Sequence, residues 1–78
     1  MKKIQIKLAT IEDIKNFVNT LAKFTVDIDL QSGRYTVDAR SLMGIFSLDL
    51  MKPIDFIIHS EDENIVKPIL EAVKVWTV

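Results

Sequence analysis

Apolar and polar residues first follow a period of two. Ile4, Ile6 and Leu8 alternate with Lys3, Gln5 and Lys7, the pattern of a strand with one buried face. The spacing then lengthens: Ile11, Ile14, Phe17, Val18 and Leu21 recur at helical intervals, and Thr10, with Asp13 three positions on, forms an acidic version of the capping box. This predicts a helix ending near Lys23 or Phe24. Residues 25–38 alternate again on both sides of Ser32 and Gly33 and read as a hairpin turning at that pair, with Val26, Ile28, Leu30, Tyr35 and Val37 inward. Ser41 is an N-cap candidate for a short helix running to about Leu50, before Lys52 and Pro53 break it. "IDFIIHS", from Ile54, reads as a fourth strand. The acidic run Glu61, Asp62, Glu63 suits the first turn of a last helix, whose apolar stripe is Ile65, Val66, Ile69, Leu70, Val73 and Trp76. Pro68 interrupts that helix, which therefore starts later than Asp62 or is kinked.

The predicted order is β-α-β-β-α-β-α. Each strand has a single apolar face, so all three helices must cover the same side of a four-stranded, mostly antiparallel sheet. The fold class is α+β, an open-faced β-sandwich, with residues 1–78 as one domain. There are no repeats, linkers or low-complexity segments.

Composition narrows the function. The chain has 78 residues, 49% hydrophobic and 27% charged, with a formal net charge of −1. A domain of this size buries only about 60% of the surface its unfolded form exposes, so its stability is modest. The charge balance supplies no field for nucleic acid or anionic lipid. With no cysteine, disulfides and thiolate metal sites are excluded. The basic start "MKKIQIKLAT" lacks the apolar run of a signal peptide, and no run approaches the roughly 20 residues of a membrane span. The expectation is a soluble, cytoplasmic protein without cofactor or metal.

The segment "DARSLMGIFSL", Asp38 to Leu48, holds more apolar residues than one face of a short helix buries. At about 100° per residue, Ile45 and Leu48 fall on one stripe, while Leu42, Met43 and Phe46 form a second beside it. The second stripe faces a partner, or is tucked under Leu50 or Met51, or closes a homodimer.

These residues also carry a family resemblance. "VDARSLMGIFSL", Val37 to Leu48, resembles the serine-bearing segment of HPr, the histidine-containing phosphocarrier of the bacterial sugar phosphotransferase system, which runs close to V-N-A-K-S-L-M-G-V-M-S-L. "LAKFTVDIDL", Leu21 to Leu30, is similar to the family's K-F-x-x-x-I-x-L passage, and the element order is the HPr order. The likeness covers nearly the whole chain. It implies that the family's G-I-H-A-R-P-A motif falls on the stretch beginning near Ala9, where Thr10 takes the position of the phosphate-accepting histidine, Glu12 that of the arginine and Asp13 that of the proline. No catalytic residue is then assigned, and the protein is expected not to be an enzyme.

In the family, the Ser41 helix is where partner proteins dock, so the resemblance implies a partner-binding surface of Arg40, Leu42, Met43 and Phe46. Ser41 becomes a candidate for regulatory phosphorylation, and a kinase or a transcription regulator becomes a candidate partner. A phosphate on Ser41 would meet a helix N-terminus and Arg40; otherwise Ser41 is simply a cap. The sequence reading is thus an HPr-like, protein-binding regulatory module that does not carry phosphate on histidine. Alternatives are a phosphocarrier using a non-standard residue, or a structural or homodimeric domain without a signalling role. His59, the single histidine, occupies no motif position. Asp27, Asp29, Asp38 and the run from Glu61 to Glu63 lack the spacing of a metal site or a general acid–base pair.

Overall fold

The computed structural model describes residues 1–78. Its elements are β1 (Lys2–Ile6), α1 (Ile11–Leu21), β2 (Ile28–Ser32), β3 (Tyr35–Asp38), α2 (Leu42–Phe46), β4 (Ile54–Ile58) and α3 (Glu63–Ala72), followed by a 3₁₀ turn at Lys74–Trp76. The sheet order is β1-β4-β2-β3, and every pairing is antiparallel, where the sequence had suggested a mostly antiparallel sheet. β1 and β4 run in register from Lys2 opposite Ile58 to Ile6 opposite Ile54. The expected open-faced α+β sandwich is the architecture found.

Its core is continuous. Ile6, Ile28, Leu30, Ile54, Phe56 and Ile58 point from the sheet, and Ile14, Phe17, Leu21, Ile45, Val66 and Ile69 come down from the helices. Phe17 lies at the centre, edge-on to Phe56 at 5.9 Å and to Trp76 at 5.5 Å between ring centroids. No polar side chain is buried, so the domain is held by apolar packing with its hydrogen bonds at the rim.

Several boundaries move, each for a local reason. α1 stops at Leu21, short of Lys23, because the Ala22 N–H turns back to the Asn19 carbonyl. The hairpin loop is Gly33–Arg34 and not Ser32–Gly33: Ser32 still pairs with Tyr35, and Gly33 alone takes positive φ, at 60°. That places glycine first in a two-residue loop, as a type II′ turn requires. α2 ends at Phe46 rather than near Leu50. The Ser47 hydroxyl and N–H both return to the Gly44 carbonyl, and the Leu48 N–H goes to Ile45, so the last turn tightens into i→i+3 bonding and Leu48 reaches the core from outside the helix.

α3 begins at Glu63 with Asp62 as its cap, the carboxylate accepting the Asn64 N–H at 2.9 Å. Pro68 lies inside it on the exposed side, so the Asn64 carbonyl that it leaves without a helical donor is at the solvent side. Ile65 is also exposed, and Trp76 belongs to the 3₁₀ turn and not to α3. The residues after that turn fold back on β1: Lys7 N–H donates to the Trp76 carbonyl at 2.8 Å, Val78 N–H to the Gln5 carbonyl at 3.1 Å, and Ile6 bridges Thr77. Besides Ile65, two further apolar residues assigned to the interior remain outside. Ile11 is 62% exposed and Tyr35 68% exposed, since α1 begins and the hairpin ends beyond the covered part of the sheet.

Candidate functional site

The first turn of α1 is closed on itself. Thr10 has extended backbone, and its Oγ1 accepts the Asp13 N–H at 3.0 Å; Asp13 Oδ2 accepts the Ala9 N–H in return at 3.3 Å. The Asp13 N–H, one of the donors that a helix start normally offers to an anion, is therefore already paired with this chain's own side chain, as is the Ala9 N–H just before the cap. Glu12 and Asp13 add negative charge at the same turn, where it complements the helix dipole and opposes any second anion.

Further along α1, at the level of Lys15, Val18 and Asn19, lies α2. Ser41 Oγ accepts the Gly44 N–H at 3.1 Å. Glycine at position 44 suits the close approach of α2 to β3, since a Cβ there would lie 3.0 Å from Val37 Cβ and 3.1 Å from Ser41 Oγ, and those neighbours would have to give by a few tenths of an ångström. Ile45 is fully buried, whereas Met43 is 81%, Phe46 44% and Leu42 37% exposed. The two apolar stripes thus separate, one inward and one outward. Met51 does not cover this stripe, being itself exposed, and Met43 is open to solvent.

The outward stripe continues onto α1. Leu42 shares a depression of about 260 Å³ with Lys15, Val18 and Asn19, and exposed Ile11 stands one turn before Lys15 along α1. The structure therefore brings Thr10, Glu12 and Ile11 onto the helix that flanks Leu42. Sequence reasoning missed Ile11 and Lys15 because Ile11 fits the apolar period of α1; only its N1 position, next to the cap, hinted that it lies off the core.

Arg40 is placed elsewhere. Its guanidinium reaches back to the loop between α1 and β2, donating to the carbonyls of Phe24 at 2.7 Å and Val26 at 2.9 Å, and its own N–H is held by Asp38 at 2.7 Å. It ties the α1–β2 loop to the start of α2 and does not lie on the outward stripe. We expect Arg40→Ala to lower the stability by about 2–3 kcal/mol, because two half-buried carbonyls lose a charged donor. Arg40→Lys should recover little, since an ammonium cannot fork to both. The check is the midpoint of urea unfolding at unchanged slope.

His59 stands at the other end of the sheet from Thr10: it follows Ile58, which pairs with Lys2, whereas Thr10 follows the far end of β1. Its Nε2 lies 2.8 Å from Asp29 Oδ2 on the open face. The Asp and Glu side chains nowhere assemble into a group fit for a metal ion, and no helix is long and apolar enough to cross a membrane.

A family model described as "PTS HPr component phosphorylation site" matches residues 13–74, most of the chain. The chain belongs to the HPr family. HPr proteins are phosphocarriers of the phosphotransferase system rather than catalytic enzymes. The crystal structure of HPr-C-His from Thermoanaerobacter tengcongensis is similar in fold, with a TM-score of 0.73 over 95% of this chain and 92% of that chain, at 23% identity. No curated protein matches the sequence.

Proposed function

We propose that this HPr-family protein does not carry phosphate on histidine and acts in the cytoplasm as a regulatory module that docks a partner protein through α2. The observation that carries this reading is the outward apolar face of Leu42, Met43 and Phe46, set beside a helix start that is acidic and already capped. On the alignment implied by the resemblance, Thr10 stands for the acceptor histidine and Glu12 for the arginine. The Thr10 hydroxyl is engaged as a cap, and each neighbouring carboxylate would repel a phosphoryl group by about 1–4 kcal/mol, depending on the local dielectric. The family match begins at residue 13, past both positions, which is in keeping with divergence there.

An adaptable methionine beside a half-exposed phenylalanine is a suitable anchor pair for a protein interface. Ser41 is the candidate switch within that face. Its hydroxyl is at the rim of α2, and a phosphate there would place charge next to the apolar stripe and change which partner fits. Arg40 is committed to the Phe24 and Val26 carbonyls, so a phosphate on Ser41 would be met mainly by the backbone of α2.

The test is phosphorylation in two reactions read by intact mass and peptide mapping. HPr kinase with ATP is expected to add a single phosphate at Ser41. Phosphoenolpyruvate with the general phosphotransferase enzyme is expected to add none. Acid-labile phosphate in the second reaction would make the protein a working carrier. An unmodified Ser41 in the first would remove the serine switch and leave the α2 face to be tested by direct partner binding with Phe46→Asp.

A further inference from the structure

The two edges of the sheet differ. The C-terminal residues lie along the outer edge of β1 from Gln5 to Lys7, while β3 ends the sheet on the other side with no strand beyond it. Which of its groups are free follows from the register. Ala39 N–H bonds to the Ile28 carbonyl at 2.9 Å, which makes Asp29 and Asp38 a non-hydrogen-bonded pair and, two strand positions on, Gln31 and Thr36 another. Tyr35 and Val37 therefore spend their main-chain groups on β2. The N–H and C=O of Thr36 and the N–H of Asp38 point away from the sheet; the Asp38 carbonyl is taken by Ser41 N–H at 3.0 Å.

Apart from its shortness, one of the devices that protect sheet edges, this edge is open. It has no proline and no bulge, and its charges differ in sign at its two ends: Arg34 at the turn, Asp38 and its cross-strand neighbour Asp29 at the other. Laid antiparallel on itself about Thr36, the edge sets Thr36 against Thr36, Tyr35 against Val37 and Arg34 against Asp38 of the second copy. The exposed Tyr35 ring, which no helix covers, gains a β-branched neighbour. A parallel arrangement would set like charges together.

We propose that the β3 edge is a self-pairing surface, joining two copies of this chain antiparallel through Thr36 into one continuous sheet. Four residues per edge bury less than the roughly 1,200 Å² of a standard interface, so the pair is transient. It uses a surface other than α2, and its success or failure is independent of the docking role proposed above.

The experiment is sedimentation velocity from micromolar to millimolar protein, with amide hydrogen exchange of Thr36 followed over the same range. Wild type should self-associate, and the Thr36 amide should be protected as concentration rises. Arg34→Asp and Asp38→Arg should each weaken association about tenfold or more, since each places like charges at both ends of the pair. An equimolar mixture of the two variants should restore it, because both contacts are then of opposite sign. A protein that stays monomeric at millimolar concentration overturns the proposal. So does self-association that ignores Arg34→Asp or is abolished by Phe46→Asp, which would place the contact on α2. Should Asp38→Arg fail to fold, the concentration dependence of the Thr36 amide in wild type decides alone.

Discussion

Replacing Phe17 by alanine is expected to remove about 3–5 kcal/mol of stability and to lower the midpoint of thermal unfolding by roughly 15–30 °C. A chain of this length has only about 4–12 kcal/mol in total, so the variant should be largely unfolded at temperatures the wild type tolerates. The effect is this large because Phe17 is fully buried and joins three parts of the fold: its own helix, Phe56 of β4 and Trp76 of the C-terminal turn. Removing the ring leaves a cavity bounded by the sheet on one side and an aromatic turn on the other, neither of which can collapse into it without giving up strand pairing. Phe46→Ala is the internal control. That ring is half exposed on α2, and its loss should cost at most about 1 kcal/mol while weakening whatever docks there. Circular dichroism melts of both variants, with Trp76 fluorescence as a second probe, check the contrast; equal losses would mean that Phe46 carries core packing the structure does not show.

The second large effect concerns the start of α1. If the acidic cap is what bars phosphoryl transfer, Thr10→His alone should remain unlabelled by phosphoenolpyruvate and the general enzyme of the system. Thr10→His combined with Glu12→Arg and Asp13→Pro should take label. The reasoning is electrostatic. Two carboxylates within a few ångströms of the acceptor together oppose a phosphoryl group by at least about 2 kcal/mol, while an arginine in the place of Glu12 reverses one of those contributions. Proline in the first turn of a helix gives up an N–H that needs no helical acceptor, although here it also ends the bond to the Thr10 position. Labelling of the single variant would show that the carboxylates are no barrier. Failure of the triple variant, if folded, would move the cause to the enzyme-docking face.

What could be read from the residues beforehand was whatever a few neighbours determine. The Thr10–Asp13 box, the Ser41 cap, the acidic start of α3 and the alternation in β1, β2 and β4 are local devices, and each element arose where its device stood. The split of α2 into Ile45 on one side and Met43 with Phe46 on the other followed from helical spacing alone. Tertiary reach could not be read. Ile11 and Tyr35 satisfy the apolar period of their elements but lie past the area the helices cover. Arg40 looked like an anion contact because it adjoins Ser41, and nothing local indicates two carbonyls 16 and 14 residues upstream. Lys7 is a similar case, its ammonium donating to the carbonyls of Leu50 and Met51 and pinning the loop after α2 to the end of β1. The length of α2 was misjudged for a different reason: Leu48 and Leu50 continue the apolar spacing, and the Ser47 hydroxyl that ends the helix competes for a backbone carbonyl in a way that spacing does not register.

The strand order also sets a timetable for synthesis. β1 has no neighbour within the first half of the chain; it pairs with β4 and then with the residues around Thr77. At about 5–20 residues per second, Ile6 waits on the order of 2–10 s before Ile54 exists to pair with it. Over the same interval the apolar side of α1, Phe17 included, has neither Phe56 nor Trp76 to cover it. The β2–β3 hairpin closes early and locally, so it offers the nascent helix its first cover, and β2 becomes the edge to which β4 and then β1 are added. Slowing translation between β3 and β4 would therefore lengthen the exposure of the helix without delaying the hairpin, and chaperone contact should concentrate on α1.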